Sequence, residues 1–223
     1  MNKLVSIAIS TYEANGAGTK LLKKNLDGIM NQDYSNIEIV VSDHSSDNKI
    51  KNLCENYPKE KNFPIIYIHN PNNKGNSSQN TNNAINHCKG EYIKILFMDD
   101  YLYRNDAISE IVNKFEKTPT KKWLVHSYMH TKNYKDLYYL HHPRFSHDIV
   151  FCNKIGCPSC LTIHKSVLER FDEKLKWYMD CEFYYRILQE YGPPIFEYST
   201  TPFIINLHHE NQVTNTEIND NLI

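Results

Sequence analysis

No stretch of uncharged apolar residues in this 223-residue sequence is long enough to cross a bilayer, so a membrane-spanning helix is not expected. Met1 to Ser10 is too short for a signal peptide and runs directly into a strand pattern. A cytoplasmic location follows as the expectation. The formal net charge is only −1, which removes any electrostatic case for a nucleic-acid partner. Internal repeats, low-complexity blocks and interdomain linkers are lacking as well, and the length suits one domain with a sizeable core better than two. The six cysteines (Cys54, Cys88, Cys152, Cys157, Cys160 and Cys181) do not form a ligand pattern. Cys157-Pro158-Ser159-Cys160 has C-x-x-C spacing, but no further ligands follow it at the spacing zinc requires. In a reducing compartment they are expected to be small buried thiols.

The residues present, 40% hydrophobic and 12% aromatic, have the composition of a globular protein. Leu4–Ser10, Ile37–Val41, Ile65–Ile68 and Tyr92–Phe97 read as short apolar strands. Between them lie helical patterns. Leu21, Leu22, Leu26, Ile29 and Met30 recur at helical spacing after a cap at Thr19. A second helix is capped at Ser46 or Asp47 and runs to about Tyr57, and a third runs from Ser77 or Ser78 to Cys88. This alternation predicts an α/β fold with a mainly parallel sheet and right-handed crossovers. Beyond it the pattern loosens: a helix over Asp106–Phe115, a strand over Trp123–Met129, and a loop-rich stretch from Tyr134 to Phe151. A turn from Ile155 leads into a strand ending at Ile163, then come a helix over Asp180–Tyr191 and a strand over Pro202–Leu207.

Chemistry gathers at Asp99 and Asp100, where the fourth strand ends. Two carboxylates at the tip of a core strand are costly unless a cation or a donor sits between them. Oxygen ligands of this kind suit Mg²⁺ or Mn²⁺ shared with a phosphate, and the milder reading is a solvated acidic turn. In a parallel sheet the loops after the first, second and fourth strands open on one edge. Thr11, Glu13, Asp43, Asp99 and Asp100 should therefore converge. Thr11, Glu13 and Asp43 could also serve simply as turn formers. His141, His142 and His147 lie in a loop without fixed spacing, as a mobile acceptor loop would.

Several segments, in order, resemble the inverting family 2 glycosyltransferases of GT-A fold. Ser6-Ile7-Ala8-Ile9-Ser10-Thr11-Tyr12-Glu13 is similar to the family's opening strand, with Ser10 in place of Pro and Glu13 in place of Asn. Val41-Ser42-Asp43-His44-Ser45-Ser46-Asp47 resembles the D-D-G-S-x-D loop that contacts nucleobase or ribose. Asn73-Lys74-Gly75-Asn76-Ser77 resembles the N-x-G-x-S segment, although Gln79 and Asn80 stand where an Arg is usual. Phe97 to Leu102 resembles the D-x-D region without its first Asp, which leaves open whether Asp99 or Asp100 touches the metal. Trp177 to Arg186 resembles the E-D-x-x-F/W-x-x-R helix start, with Met179 for Glu and Asp180 at the catalytic base. Leu207 to Gln212 resembles the late segment whose histidine, here His209, completes the metal or diphosphate site.

The resemblance implies a single GT-A domain: a nucleotide-sugar half over residues 1–103, an acceptor and catalytic half over 104–215, and a frayed tail over 216–223. It implies Asp180 as the catalytic base, and Ser10, Thr11, Tyr12, Glu13, Asp43, Lys74, Gly75 and Asp99 around the donor. Asp99, Asp100 and His209 would hold Mn²⁺ or Mg²⁺. The donor implied is a nucleotide-diphosphate sugar, a UDP-sugar foremost, and the acceptor a glycan or lipid-linked saccharide of surface polysaccharide synthesis. Such work would involve peripheral contact with the inner membrane face. A nucleotide-sugar-binding protein that has lost catalysis is the alternative. A nucleotidyltransferase would need a basic Gly-rich first loop, of which Asn15-Gly16-Ala17-Gly18-Thr19-Lys20 is a faint echo. Glu182, Gly156, Pro158 and Ser159 could shape the acceptor side or be ordinary structural residues.

Overall fold

The computed structural model describes residues 2–58, 61–146, 148–150 and 152–208. Four parallel strands form its centre: β1 (Val5–Thr11), β2 (Ile37–Asp43), β3 (Ile65–His69) and β4 (Tyr92–Ile95), in spatial order β4-β1-β2-β3. They are linked by α1 (Gly18–Met30), α2 (Lys49–Asn56) and α3 (Ser77–Asn86), which is the alternation the sequence predicts. β2 is buried along its whole length, as expected of a parallel strand covered on both faces. α1 buries the stripe of Leu21, Leu22, Leu26, Ile29 and Met30.

The second half extends the same sheet. After α4 (Ala107–Lys117) come β6 (Trp123–His126), β9 (Leu161–His164) and β10 (Ile195–Glu197). β9 lies antiparallel between β4 and β6, and β10 runs parallel to β6, so the seven-stranded order is β10-β6-β9-β4-β1-β2-β3. A four-stranded sheet packs beside it: β5 (Asp100–Leu102), β11 (Ile204–Leu207), β7 (Tyr128–Thr131) and β8 (Leu137–His141), in that order. α5 (Met179–Tyr191) covers the junction, with Phe183 stacked on Phe171 and Tyr184 on Trp123. Among the described residues no helix is long and apolar enough to cross a membrane.

Three segments depart from the sequence-based expectation. The strand expected over Tyr92–Phe97 stops at Ile95, and Asp100 opens β5 in the second sheet instead of tipping β4. The buried amide of Asn25 on α1 holds the diverted segment by donating to the carbonyls of Phe97 (2.9 Å) and Asp100 (2.8 Å). The strand expected over Trp123–Met129 breaks at Ser127, whose amide and hydroxyl both bond Glu197 O. Its two parts join different sheets. The loop expected from Tyr134 to Phe151 contains β8, a hairpin partner of β7. Helix starts shift too. Ala17, not Thr19, precedes α1, and Asn48 precedes α2, while Asp47 accepts from the Lys49 amide at 3.0 Å. α3 starts at Ser77 as expected, capped by Asn76 Oδ1, which accepts from the Gln79 amide at 2.9 Å.

Candidate active site

β1 and β2 end in register, with Thr11 opposite Asp43, so the loops leaving them open on one edge of the sheet. Strand order reverses at β1, between β2 and β4, and such a reversal is where open α/β sheets hold ligands. Ser10 Oγ accepts from Thr81 Oγ1 (3.1 Å), and Thr11 Oγ1 donates to Met98 Sδ (3.1 Å). Tyr12 is partly exposed at the rim; burial, then the charges of Asp99 and Glu13, push its phenol above the usual range. Lys74 pairs with Glu13 and donates to Ser46 Oγ (2.6 Å), so one ammonium ties together the loops that follow β1, β2 and β3. Burial raises the Glu13 carboxyl, but the hydrogen bond and charge of Lys74 together with a backbone hydrogen bond outweigh it, and the net shift is downward. Gly75, at φ +88°, turns this loop back toward α3.

Asp43 is fully buried. Its Oδ1 accepts from the Ser45 amide (2.9 Å) and hydroxyl (2.6 Å), and Oδ2 accepts from Tyr67 OH (2.9 Å). This fulfils the turn-forming role; a carboxylate has about four lone-pair positions, so one remains after three donors. Beneath it lies a polar network that the sequence reading passed over. Asn80 donates to Thr11 O (3.0 Å) and accepts from Ser42 Oγ (2.6 Å), while Asn70 joins Gln79 (2.9 Å) and His44 (3.1 Å). The signal was the run of Ser, Asn and Thr in α3, whose Ser78, Asn80, Thr81 and Asn82 are all buried.

Asp99 is half-buried in the turn before β5, and Asp100 is 1% exposed. Asn206 on β11 donates to Asp100 Oδ1 at 2.7 Å, whereas Oδ2 is buried and makes no geometric hydrogen bond among the described residues. Burial, and then the charge of Asp99, push the Asp100 carboxyl well above its usual range. A buried carboxylate oxygen with an open acceptor position beside a second carboxylate fits a hard divalent cation. Among the described residues no three His, Cys, Asp or Glu side chains gather as metal ligands. His209 lies outside the described residues, as do His147 and the tail over 216–223.

Asp180 sits in the first turn of α5. Its Oδ1 accepts from the Cys181 amide (2.8 Å) and its Oδ2 from Asn153 Nδ2 (2.6 Å). Burial pushes its carboxyl up, and these donors pull part of the way back. Tyr178, two residues earlier, holds a left-handed φ of +58° and is exposed with Trp177 beside it. The segment over 153–160 links Asp180 with the neighbourhood of Asp100: Asn153 bonds Asp180, burial and then the charge of Asp100 raise the Cys157 thiol, and Ser159 Oγ accepts the Phe97 amide (2.9 Å). Near Asp180, the Ser77 and Ser78 hydroxyls reach Met179 Sδ at 3.3 Å, tying the starts of α3 and α5 together.

Other residues singled out from the sequence fall into structural roles. Glu182 pairs with Arg186 one turn along α5. His141 Nε2 faces the carbonyls of Lys154 and Ile155, and His142 Nδ1 meets Ser127 Oγ at 2.7 Å. His208 packs on His130, with ring centroids 4.2 Å apart. All six cysteines are free thiols. Lys94, which the strand pattern conceals, is fully buried; burial lowers its ammonium to about 8, and it donates to His126 Nε2 (2.9 Å) and to Ser159 O.

Known proteins share the fold of this chain. TarS of S. aureus, in complex with UDP-GlcNAc, superposes with a TM-score of 0.73 over 96% of this chain and 61% of its own, at 16% identity. The mannosyltransferase PcManGT of Pyrobaculum calidifontis, with GDP-Man and Mn²⁺, gives 0.60 over 88% and 57%, at 19% identity. The fold is therefore the GT-A fold. In sequence the chain is 35% identical, over 94 residues, to the GalNAc(5)-diNAcBac-PP-undecaprenol beta-1,3-glucosyltransferase of Campylobacter jejuni. That match covers 42% of this chain and 30% of the relative, so it spans under a third of that protein's length. A glycosyltransferase of Rickettsia typhi matches 97% of this chain, and 67% of its own, at 25% identity. The model of glycosyl transferase family 2 matches residues 6–175, from β1 through the loop before α5, and on that match the chain belongs to this family.

Proposed function

We propose that the chain transfers a hexose or N-acetylhexosamine from a nucleotide-diphosphate sugar, a UDP-sugar foremost, to a hydroxyl of a glycan or lipid-linked acceptor, inverting the anomeric centre. The observation that carries this reading is the segment over 153–160, which has Asp180 bonded at one end and Asp100 beside the other. The UDP-GlcNAc complex of TarS supports the donor class, and the GDP-Man and Mn²⁺ complex of PcManGT supports a divalent cation. The PP-undecaprenol in the Campylobacter relative's name supports a lipid-linked acceptor, surface polysaccharide synthesis and peripheral work at the inner membrane face.

In this reading residues 1–103 form the donor half, with Ser10, Thr11, Tyr12, Glu13, Asp43, Lys74, Gly75 and Asp99 around the nucleotide sugar. Residues 104–215 form the acceptor half. Asp99, Asp100 and His209 would hold Mn²⁺ or Mg²⁺, which when bound would supply charge neutralisation for a departing diphosphate. Asp180 takes the proton of the acceptor hydroxyl as that oxygen attacks the anomeric carbon, and the electron pair of the broken bond leaves on the diphosphate. Burial raises the affinity of Asp180 for that proton, while the N-terminus of α5 keeps it ionised beforehand.

The test is release of nucleoside diphosphate from a panel of nucleotide sugars with Mn²⁺ and saccharide acceptors. Asp180→Asn is expected to lose this release by at least about 100-fold. Undiminished release would sink the assignment of the base. The D-x-D region without its first Asp favours a second reading, donor binding without turnover, which would give a thermal shift but no release.

A further inference from the structure

We propose that Asn153 is the positioning residue for Asp180: its side-chain amide holds the carboxylate where it meets the acceptor hydroxyl, a role that rests on Asp180 being the general base. Asn153 Nδ2 donates to Asp180 Oδ2 at 2.6 Å and to Gly156 O at 3.0 Å. Its Oδ1 accepts from the amides of Ile155 (3.1 Å) and Gly156 (2.8 Å). Two donors and two acceptor positions are all that a carboxamide offers, so the group is saturated. This also fixes which atom is nitrogen, because turning the amide over would set its oxygen against a carboxylate and a carbonyl, and its NH₂ against two amides.

The arrangement makes the loop and α5 one unit. Gly156 O also accepts from Tyr184 OH at 3.1 Å, and Tyr184 lies one turn after Asp180. The turn itself depends on Gly156, at φ +120°, where a Cβ would lie 2.5 Å from Tyr128 Cε1. The other ionisable groups facing Asp180 are Cys181 and Tyr184 on α5 and Cys160 before β9. Burial pushes both thiols up to about 12 and the phenol well above its usual value, so all three stay neutral where Asp180 titrates. The neutral donor on Asn153 stabilises the carboxylate over its protonated form, which keeps the base available against the upward pull of burial.

The experiment is a pH titration of the ¹³C-labelled aspartate carboxyls of the full chain by NMR, with Asp180→Asn identifying the resonance. Asn153→Leu is expected to raise the Asp180 midpoint by about one pH unit. Should that variant fold poorly, Asn153→Asp serves instead: it keeps the oxygen that closes the turn and loses the donor, so the two carboxylates share a proton and the midpoint rises again. The acid limb of nucleoside diphosphate release should move with it, at unchanged donor KM. A residue that only shapes the turn would leave the Asp180 midpoint of Asn153→Leu, and the acid limb of its release, where the parent has them, and that result overturns the proposal. A midpoint that rises while Asp180→Asn keeps its turnover overturns it as well, through the base rather than through Asn153.

Discussion

Asn25 illustrates how a single uncharged side chain directs this site. Its amide is fully buried and bonds two carbonyls, those of Phe97 and Asp100, the first of which also accepts the Asp100 amide at 3.0 Å. Asn25→Leu removes both bonds and is therefore expected to cost about 1–3 kcal/mol, read as a lower midpoint in urea unfolding. His130 makes a pH prediction. Burial, and then the neighbouring His208, hold its imidazole down at about 4. The unfolded chain takes up that proton near about pH 6.5 and the folded one refuses it, so stability is present above that pH and is lost as pH falls toward 4. Tm should be lower at pH 5 than at pH 7.5, and His130→Phe should shrink the difference.

At the scale of elements, α1 and β5 meet at Gly28, where a Cβ would sit 2.8 Å from Leu102 O and 3.2 Å from Leu102 N. Gly28→Ala gains about 1 kcal/mol of helix propensity. That gain is outweighed because the obstacle is a backbone carbonyl held in a sheet, so the expected result is a fall in Tm rather than a rise. Elements of this kind were unevenly legible in the sequence. The buried parallel strands announced themselves as apolar runs, and α1 as a stripe, because each buries a face along its full length. β5 is three residues long, too short to carry a period, and β8 places Tyr138 and Tyr139 toward solvent, so it read as loop. The candidate carboxylates were visible by type and order. Asn153 and Asn206, which hold them, and Asn25, which bonds the backbone of Asp100, were not, since an asparagine that anchors a site looks in sequence like one that forms a turn.

For the whole molecule, ligand binding should register as stability. A donor sugar present at about 100 times its Kd adds about 2.7 kcal/mol, which for a chain of this size corresponds to a Tm rise of roughly 5–10 °C. A UDP-sugar with Mn²⁺ is expected to give that rise, and Asp100→Asn to reduce it. The pairing of Asp100 with Asn206 has a further consequence, in time rather than in space. These two residues are 106 positions apart, and the strand bearing Asn206 runs between β5 and β7. A nascent chain can lay down β1 to β4 while still being synthesised, but the Asp100 carboxylate lacks its Asn206 donor until the ribosome has released β11. Nucleotide-sugar handling should accordingly switch on late and abruptly during biogenesis, and fragments halted before Ile204 should build the parallel sheet yet stay idle.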